Sequence, residues 1–592
     1  MATAASTATG GAWLLQSAPA TDVFTPERMT NEHRLVAATA AQFSRQEVVP
    51  AVDRLEQKDW ALARALLKRC GDLGLLGVDV PEEYGGVELD EVSSLAVSER
   101  MAHSASFGAA YGAQANLCIV PILTFGTKEQ KRRYLPELVS GDTIGAYALS
   151  ESGSGSDALS ARALATRLDD GSFLLSGEKM WITNGGFADV MIVFAKVDGE
   201  SFTAFIVERA FGSLTSGREE HKMGLHGSST TSLLLQDVPV PAANVLGEIG
   251  KGHKVAFNVL NFGRFKLGAM CLGGCKTAIE ESARYAASRR QFGQAIASFG
   301  AIKHKIGEMT ARTYALESIM YRIAGLIDAT VQAATDEKSQ ALLGALEELA
   351  VEASIAKVFG SEVLDFVLDE NVQVHGGNGY VQDYPAERRY RDARVNRIFE
   401  GTNEINRLLI PGMLLKRAIK GDLPLLAAAR ALRDEIMGPA PLGLDLGDGA
   451  SLAAESKAVD GFRKTCLLVA GAAVERYGAA LQAEQEVMLW LADLLIETFA
   501  ADSAVLRAQS SASAGERTAP LQADAARLFV ATAALRVDQA AREALSAIAE
   551  GDVLRTQMAA LRRLLKAGPV NTATLRRRLA ENTTASGAYL FT

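Results

Sequence analysis

The stretch that decides the fold lies late in the chain and reads Arg397-Ile398-Phe399-Glu400-Gly401-Thr402-Asn403-Glu404-Ile405. It places a carboxylate on a glycine turn, between an aromatic ring and the start of an apolar helix. A turn fixes the direction of a carboxylate without burying it in a helix face, which suits a general base. Most Glu-Gly pairs are ordinary turns, so this stretch gains its meaning only from the motifs that accompany it.

Composition limits the class of protein. The chain has 592 residues, is 48% apolar and 22% charged, and carries a net charge of −9 without a basic block. These values fit a globular protein with large cores and disfavour nucleic acid as a partner. The five cysteines form no CxxC pair, so we expect reduced thiols and no metal site. No apolar run approaches the roughly 20 residues of a membrane span, and no secretory or mitochondrial signal is recognisable, which predicts a cytoplasmic protein.

Apolar periodicity predicts a mainly α protein with a small β domain. The predicted ranges are a disordered terminus at 1–24, an N-terminal helical domain at 25–140, a middle β domain at 141–245, a helical bundle at 246–420 and a helical extension at 421–592. Short apolar runs between Asp-Gly turns indicate the β domain, and a 3.6-residue period indicates the helices. Gly438–Gly443 reads as a linker and Ser510–Gly515 as a flexible break.

A loop rich in glycine and serine, Tyr147–Asp157, indicates an anion or cofactor site. Its glycines let backbone N–H groups approach an anion closely, and its hydroxyls add donors. The pattern Gly153-x-Gly155-x-x-Ala158 also fits a dinucleotide-binding fingerprint, which is the rival interpretation. However, the Asp157 carboxylate would lie where a pyrophosphate should bind, and no series of βα units follows the loop.

Two further motifs supply a large ring and a cation. Met180–Gly186 contains Trp181 and Thr183. An indole can cover a flavin face and a hydroxyl can donate to a ring nitrogen, although a core tryptophan before a turn has the same pattern. Ser288–Gly293 contains Arg289 at the end of a helix, where a guanidinium can neutralise the helix C-terminus or bind phosphate in a fork.

In this order, together with Gln373-Val374-His375-Gly376-Gly377-Asn378-Gly379-Tyr380, the motifs resemble the acyl-CoA dehydrogenase family over roughly residues 30–420. The resemblance implies N-terminal helices, a barrel-like β domain and a helical bundle, with FAD as cofactor. It implies that Trp181 shields the flavin, that Thr183 bonds its N5 edge, and that Arg289 reaches FAD in a neighbouring subunit. The cofactor-binding residues it implies are Tyr147, Leu149, Ser150, Gly155, Ser156, Trp181, Ile182, Thr183, Arg289, Gln291, Phe292, Gln373, Gly376, Gly377, Thr402 and Glu404.

The resemblance also implies the chemistry, in which a base removes the α-proton of an acyl-CoA thioester while the β-hydrogen leaves as hydride to flavin. Glu400 is the only carboxylate in a motif-supported position for the base, because Glu151 belongs to the cofactor loop and Glu404 opens a helix. An apolar site that includes Phe399 should raise the pKa of Glu400 toward the working pH. The implied substrate residues are Ser156, Asn261, Arg264, Phe399, Gly401, Gly108 and Gly112.

Gly108 and Gly112 indicate a preference for long acyl chains. They lie i, i+4 on one face of a predicted helix, and each costs roughly 1 kcal/mol against alanine, so the pair needs a reason. Medium-chain members of the family carry bulkier residues there, whereas the very-long-chain branch resembles this chain in having glycines. Close helix packing is the alternative explanation.

The C-terminal extension also resembles the very-long-chain branch, whose members add a helical domain and form homodimers. Leu554, Met558, Leu561 and Leu565 make an apolar stripe beside basic residues, and Arg576–Arg578 adds positive charge. Such a helix can lie on an anionic membrane surface. Packing against its own protein is the alternative.

Together these features predict FAD-dependent dehydrogenation of long-chain acyl-CoA in fatty acid β-oxidation, with electron-transferring flavoprotein as the acceptor. An acyl-CoA oxidase that uses oxygen remains a second possibility, which hydrogen peroxide formation would reveal. A respiratory-complex assembly protein with residual dehydrogenase activity is a third, which a pull-down compared with turnover would separate.

Overall fold

The computed structural model describes residues 9–335, 337–437, 452–566 and 568–591. The predicted linker Gly438–Gly443 therefore lies outside the described residues. The N-terminal part is helical, as its apolar period predicts, and Thr30, Asp59, Asp90, Ser104 and Thr127 cap the helices that follow them. Its helices are α1 (Asn31–Phe43), α2 (Val49–Glu56), α3 (Trp60–Asp72), α4 (Glu91–Met101), α5 (Ala105–Gln114), α6 (Val120–Phe125) and α7 (Lys128–Ser140).

The middle part is a single eight-stranded sheet in which most neighbours are antiparallel. Gly171, with a φ of 83°, forms the turn between the second and third strands. The first two strands each pair in parallel with the fourth, and no helix of α type follows the first strand directly, so the dinucleotide-fold interpretation of the loop is wrong. The strands are β1 (Gly145–Ala148), β2 (Leu164–Arg167), β3 (Phe173–Thr183), β4 (Val190–Val197), β5 (Ser201–Glu208), β6 (Leu214–Ser216), β7 (Thr230–Val240) and β8 (Val245–Leu246).

Long helices then form a bundle. α8 (Gly252–Ser288) and α11 (Ala350–His375) are apolar on several faces because they pack against each other and against α9. A short hairpin joins α8 to α9. The elements are α8, β9 (Arg290–Gln291), β10 (Gln294–Ala295), α9 (Gly300–Ala333), α10 (Lys338–Glu348), α11, α12 (Pro385–Ala393) and α13 (Asn403–Lys420).

The extension continues the same hydrophobic core instead of forming a separate one. Buried ion pairs, Arg507–Glu317 at 2.6 Å and Arg322–Asp502 at 2.9 Å, join it to the bundle. The predicted break at Ser510–Gly515 is wrong, because one helix runs through the serines and Gly515 closes it in the left-handed region. The helices are α14 (Leu425–Met437), α15 (Ala453–Tyr477), α16 (Gln485–Ala514), α17 (Ala519–Ile548), α18 (Gly551–Leu564) and α19 (Thr572–Ser586).

Residues 9–24 are packed against the fold, in contrast to the disorder predicted for them, and residues 1–8 of the predicted range lie outside the described residues. Trp13 is buried, its indole N–H donates to Glu352 at 2.9 Å, and its ring lies 4.9 Å from that of Phe499. Arg463 donates to the Trp13 carbonyl at 2.8 Å. Composition predicted disorder because the partners lie hundreds of residues away and leave no local signal.

The apolar stripe of α18 faces the protein. Leu561 is fully buried, and Leu554, Met558 and Leu565 pack against the main core. Arg576 pairs with Glu308 at 2.9 Å instead of standing free for a lipid surface. The packing supports the alternative prediction, in which the stripe packs against its own protein. The stripe therefore no longer supports binding to a membrane.

One helical stretch, Ala105–Phe125, is long and apolar enough to cross a membrane by composition, which the sequence count did not anticipate. However, 83% of that stretch is buried inside the fold, as expected of a core helix in a folded domain. It comprises α5, a π turn and α6.

Candidate active site

Glu400 lies in the turn between α12 and α13, where its backbone takes the left-handed conformation with a φ of 58°. Its carboxylate lies over Gly263 of α8, where a Cβ would approach Glu400 Oε2 to 2.6 Å. Glycine at this position therefore lets the carboxylate occupy its place, because a Cβ would displace it. Oε2 is buried and has no hydrogen-bond partner in the described part of the protein, so it is free to accept a proton from a bound molecule.

Donors from three helices hold the backbone of this turn. Arg264 Nε of α8 donates to the Glu400 carbonyl at 3.2 Å, and Lys357 Nζ of α11 donates to the Gly401 carbonyl at 2.7 Å. Asn406 Nδ2 of α13 donates to the Gly401 carbonyl at 2.9 Å. A non-glycine residue in the left-handed region is strained by about 1–2 kcal/mol, so these bonds stabilise a conformation that the local sequence would not choose.

Burial raises the pKa of Glu400 from 4.5 to about 7, while Arg264 and Lys357 act in the opposite direction. The direction is the one expected for a carboxyl group removed from water. A pKa of about 7 suits a general base at neutral pH, because the group is substantially ionised and still binds a proton readily.

The predicted substrate residues around the base come together. Arg264 also donates to Asn261 Oδ1 at 2.8 Å, so both residues of α8 lie beside Glu400. Phe399 is 37% exposed and borders the cavity described below. Thr402 caps α13 by accepting from the Ile405 N–H at 3.2 Å. The Glu404 pKa is lowered by a backbone hydrogen bond, and its charge suits the helix N-terminus.

The loop after β1 is fastened by a buried ion pair. Lys179 Nζ, fully buried in β3, lies 2.6 Å from Glu151 Oε1 and donates to the Leu149 carbonyl at 3.2 Å. Glu151 also accepts from the Ala163 N–H at 3.1 Å. The acidic residue of the loop is thus structural, and the loop glycines stay open, because a Cβ at Gly155 would meet nothing within 4 Å.

The side chains predicted to contact a flavin divide into exposed and buried ones. Trp181 sits at a bulge of β3 with a φ of 58° and keeps its ring 57% exposed. Tyr147 Oη is buried without a partner in the described residues. Burial and the Glu400 charge raise the pKa of this hydroxyl. Ile182 is buried in the core of the sheet and Leu149 in the core that the sheet shares with the N-terminal helices, so neither side chain is exposed.

A second group of predicted cofactor residues lies where α8 and α11 end. His375 stacks on Tyr285 with ring centroids 4.3 Å apart, which holds the two helix ends together. Phe292, at the tip of the β9–β10 hairpin, is 92% exposed. The exposed members of this group are Arg289, Gln291, Phe292, Gln373, Gly376 and Gly377.

Within the described ranges, no hydrogen bond, ion pair or ring contact joins this second group to Tyr147, Ser150, Ser156, Trp181 or Thr183. The structure therefore brings the predicted cofactor residues together as two sets rather than one. Completion of the site by a neighbouring subunit stays a prediction.

A cavity of about 210 Å³ is lined by Phe399 and by residues of α2, α5, α8, α11 and α12. Gly108 lines it, as predicted for a substrate residue. Gly112 does not, but a Cβ there would lie 3.2 Å from Met270 Cε, and one at Gly108 3.8 Å from Met270 Sδ. Gly108 therefore borders the cavity and lies close to the Met101 carbonyl, which a Cβ would approach to 3.3 Å, whereas Gly112 makes room for Met270.

Sequence reasoning missed Lys357, Asn406, Gly263 and Met270. A lysine in the middle of the apolar run Ile355–Phe359 was the one signal available for Lys357, since a buried lysine requires bound acceptors. Nothing in the local sequence marks the other three, because their roles depend on contacts between helices.

This fold and site define a dehydrogenase of acyl thioesters, and comparisons with known proteins agree. Residues 30–142, 146–238 and 250–414 match the N-terminal, middle and C-terminal domains of acyl-CoA dehydrogenase, and residues 461–563 match a further acyl-CoA dehydrogenase C-terminal domain. The chain belongs to the acyl-CoA dehydrogenase family.

Individual relatives extend this similarity to nearly the full length. The chain is 45% identical to the "Probable acyl-CoA dehydrogenase" of Bacillus subtilis, covering 96% of each chain. A crystal structure of an acyl-CoA dehydrogenase complexed with FAD from Bacillus anthracis matches with a TM-score of 0.96 and 44% identity, covering 98% of this chain and 100% of that one. The very long-chain specific acyl-CoA dehydrogenase of Macaca fascicularis is 41% identical over 57% of this chain and 51% of its own length.

Proposed function

We propose that this protein uses FAD to oxidise long-chain acyl-CoA to trans-2-enoyl-CoA in fatty acid β-oxidation and passes the electrons to an electron-transferring flavoprotein. The observation that carries the proposal is the geometry of Glu400. An unpartnered, buried carboxylate oxygen with a raised pKa lies on a turn held from three helices. This is what abstraction of a weakly acidic carbon-bound proton requires.

The residues present fit FAD. Open glycine backbone at Gly155 and Gly377 suits phosphate, and the exposed Trp181 ring suits a planar aromatic system. Thr183 follows Trp181 by two residues in β3, and Tyr147 of β1 has a buried hydroxyl without a partner among the described residues. When bound, FAD supplies the acceptor for the β-hydrogen as hydride.

Glu400 performs the proton step. Its carboxylate takes the α-proton of the thioester, and the pKa of about 7 leaves it ionised in a large fraction of molecules at neutral pH. Arg264 and Lys357 remain fixed on the turn carbonyls, so the carboxylate needs no rearrangement to receive the proton.

The acyl chain is expected to occupy the cavity that Phe399 lines. Its apolar lining by Leu267, Met270, Leu364 and Leu368 suits a hydrocarbon. Gly108 of α5 lines the same cavity without adding a side chain to it. Similarity to a very long-chain specific enzyme over part of the chain supports the same substrate class.

An acyl-CoA panel with an artificial electron acceptor tests this function. We expect FAD to copurify, and kcat/KM to be higher for palmitoyl-CoA than for butyryl-CoA. Activity that needs oxygen and releases stoichiometric hydrogen peroxide would make the protein an oxidase. Failure of every acyl-CoA to reduce the bound flavin would refute the proposal and favour an assembly role, which a pull-down from the same preparation would then examine.

A further inference from the structure

Lys357 is a buried lysine without a carboxylate partner. Its side chain is fully buried in α11, and Nζ donates to the Gly401 carbonyl at 2.7 Å and to Asn403 Oδ1 at 2.7 Å. Among the described residues it forms no ion pair with a carboxylate. A buried ammonium bound only by neutral oxygens is costly. We therefore expect a nearby negative charge with which it interacts.

The charges of two carboxylates, Glu362 and Glu400, raise the pKa of this ammonium. Glu362 is already bound by Arg407 Nη1 at 2.6 Å, by Arg407 Nη2 at 2.9 Å and by Asn403 Nδ2 at 3.0 Å. Its charge is therefore neutralised locally. Glu400 has a buried oxygen with no partner, so it is the carboxylate whose ionised form Lys357 favours.

Lys357 also acts on the shape of the turn. Gly401 has a φ of 77° and follows directly after the left-handed Glu400. The bond from Nζ to the Gly401 carbonyl ties this peptide to α11, while Asn406 ties it to α13. Within the part of the chain that the structure describes, the Lys357 bond is the only hydrogen bond between the turn carbonyls and α11.

We propose that Lys357 is a positioning residue of the base, which holds the Glu400–Gly401 turn in its strained conformation and keeps the Glu400 carboxylate ionised. This inference rests on the proposed function, because it concerns the same base. It assigns the lysine no contact with substrate.

The charged and titratable groups around the pair come from two helices, α8 and α11, from strand β1 and from the turn that carries Glu400. Arg264 of α8 and Lys357 of α11 lower the pKa of Glu400, and the Glu400 charge raises the pKa of Tyr147 of β1. The pKa of Lys357 is raised by Cys271 of α8, by Glu400 and by Glu362 of α11, and it is lowered by Arg264 of α8. Burial lowers the pKa of Lys357 to about 8, so the side chain is charged at neutral pH.

The test compares Lys357→Met and Lys357→Gln with the wild-type enzyme by the pH dependence of kcat/KM, which reports ionisations of the free enzyme. Methionine removes the charge and the donor, whereas glutamine removes the charge and keeps a donor. We expect the acid-side midpoint, near pH 7 in the wild type, to move upward by about one unit in both variants. A shift of one unit makes kcat/KM about tenfold lower on the acid side.

The two variants separate charge from positioning. Above the acid-side midpoint, where Glu400 is ionised in every form, we expect Lys357→Gln to approach the wild-type rate and Lys357→Met to remain slower because its turn is less constrained. FAD content and the affinity for a non-reacting acyl-CoA analogue should stay within about twofold of wild type, because neither group is contacted by the lysine. A general loss of packing would instead lower FAD content and melting temperature without moving the midpoint.

Lys266→Met is the matched control. Lys266 is also buried, on α8, where it pairs with Glu91 and donates to Ser94 Oγ at 2.7 Å, but its charge does not act on Glu400. We expect it to lower the melting temperature and leave the midpoint unchanged. FAD-loaded Lys357 variants that keep the wild-type midpoint would overturn the inference. If no acyl-CoA reduced the flavin of the wild-type enzyme, the proposed function itself would be overturned.

Discussion

Replacing Glu400 by glutamine should abolish turnover and, at alkaline pH, stabilise the protein. Glutamine keeps the shape of the side chain and removes the base, so we expect flavin reduction by acyl-CoA to slow by about 10²- to 10⁴-fold. The stability gain follows from the pKa. In the folded protein burial raises the pKa of Glu400 from 4.5 to about 7, so the folded state retains a proton that the unfolded state has lost.

The sign of the effect depends on pH. Below pH 4.5 the carboxyl group is protonated in both states, and wild type and Glu400→Gln should unfold with equal free energy. Between 4.5 and about 7 only the unfolded state ionises, so the free energy of unfolding of the wild type falls by about 1.4 kcal/mol per pH unit relative to the variant. Above pH 7 the difference levels off, at about 3 kcal/mol in favour of the variant.

The assay is denaturant unfolding with saturating FAD at about pH 4.5 and pH 8, followed by tryptophan fluorescence, together with rapid-mixing absorbance of the flavin band. Flavin reduction at an undiminished rate in the variant would place the base elsewhere. Equal stability of the two proteins at both pH values would show that Glu400 is not desolvated, and would refute the link between its burial and its pKa.

Three further changes test other parts of the structure. Gly108→Gln with Gly112→Glu should shift the ratio of kcat/KM for octanoyl-CoA to that for palmitoyl-CoA by at least about tenfold toward the shorter chain, because side chains then fill the cavity end. Lys179→Met should weaken FAD binding at least about tenfold, measured by flavin fluorescence, because Glu151 is left buried without its partner. Leu561→Glu should lower the free energy of unfolding by about 3 kcal/mol or more, since it buries a charge in a fully packed site.

Controls make these outcomes decisive. An unchanged chain-length ratio in a folded glycine double variant would reduce both glycines to helix packing. Wild-type flavin affinity in Lys179→Met would show that the cofactor loop holds its shape without the ion pair. Val553→Glu, on the exposed side of α18, should leave stability unchanged. If Leu561→Glu melted like wild type but released the protein from anionic vesicles, α18 would be a membrane helix after all.

Local sequence determined the features that depend on neighbouring residues. The turn at Glu400–Gly401 and the open loop after β1 lie where their motifs predicted. The alternation of helical and strand periods anticipated three successive parts of the dehydrogenase fold. These patterns are readable because turn chemistry and apolar periodicity act over a few residues.

Features that depend on contacts between distant residues were decided by the tertiary structure alone. Composition made the N-terminal segment look disordered, yet Trp13 finds its partners on α11 and α16. The stripe around Leu561 had the pattern of a membrane helix as much as of a packed one, and only the presence of a core beneath it settled which. Lys357 gains its meaning from a carbonyl on another helix. Burial and charge pairing join residues far apart in the chain, so no window of sequence contains them.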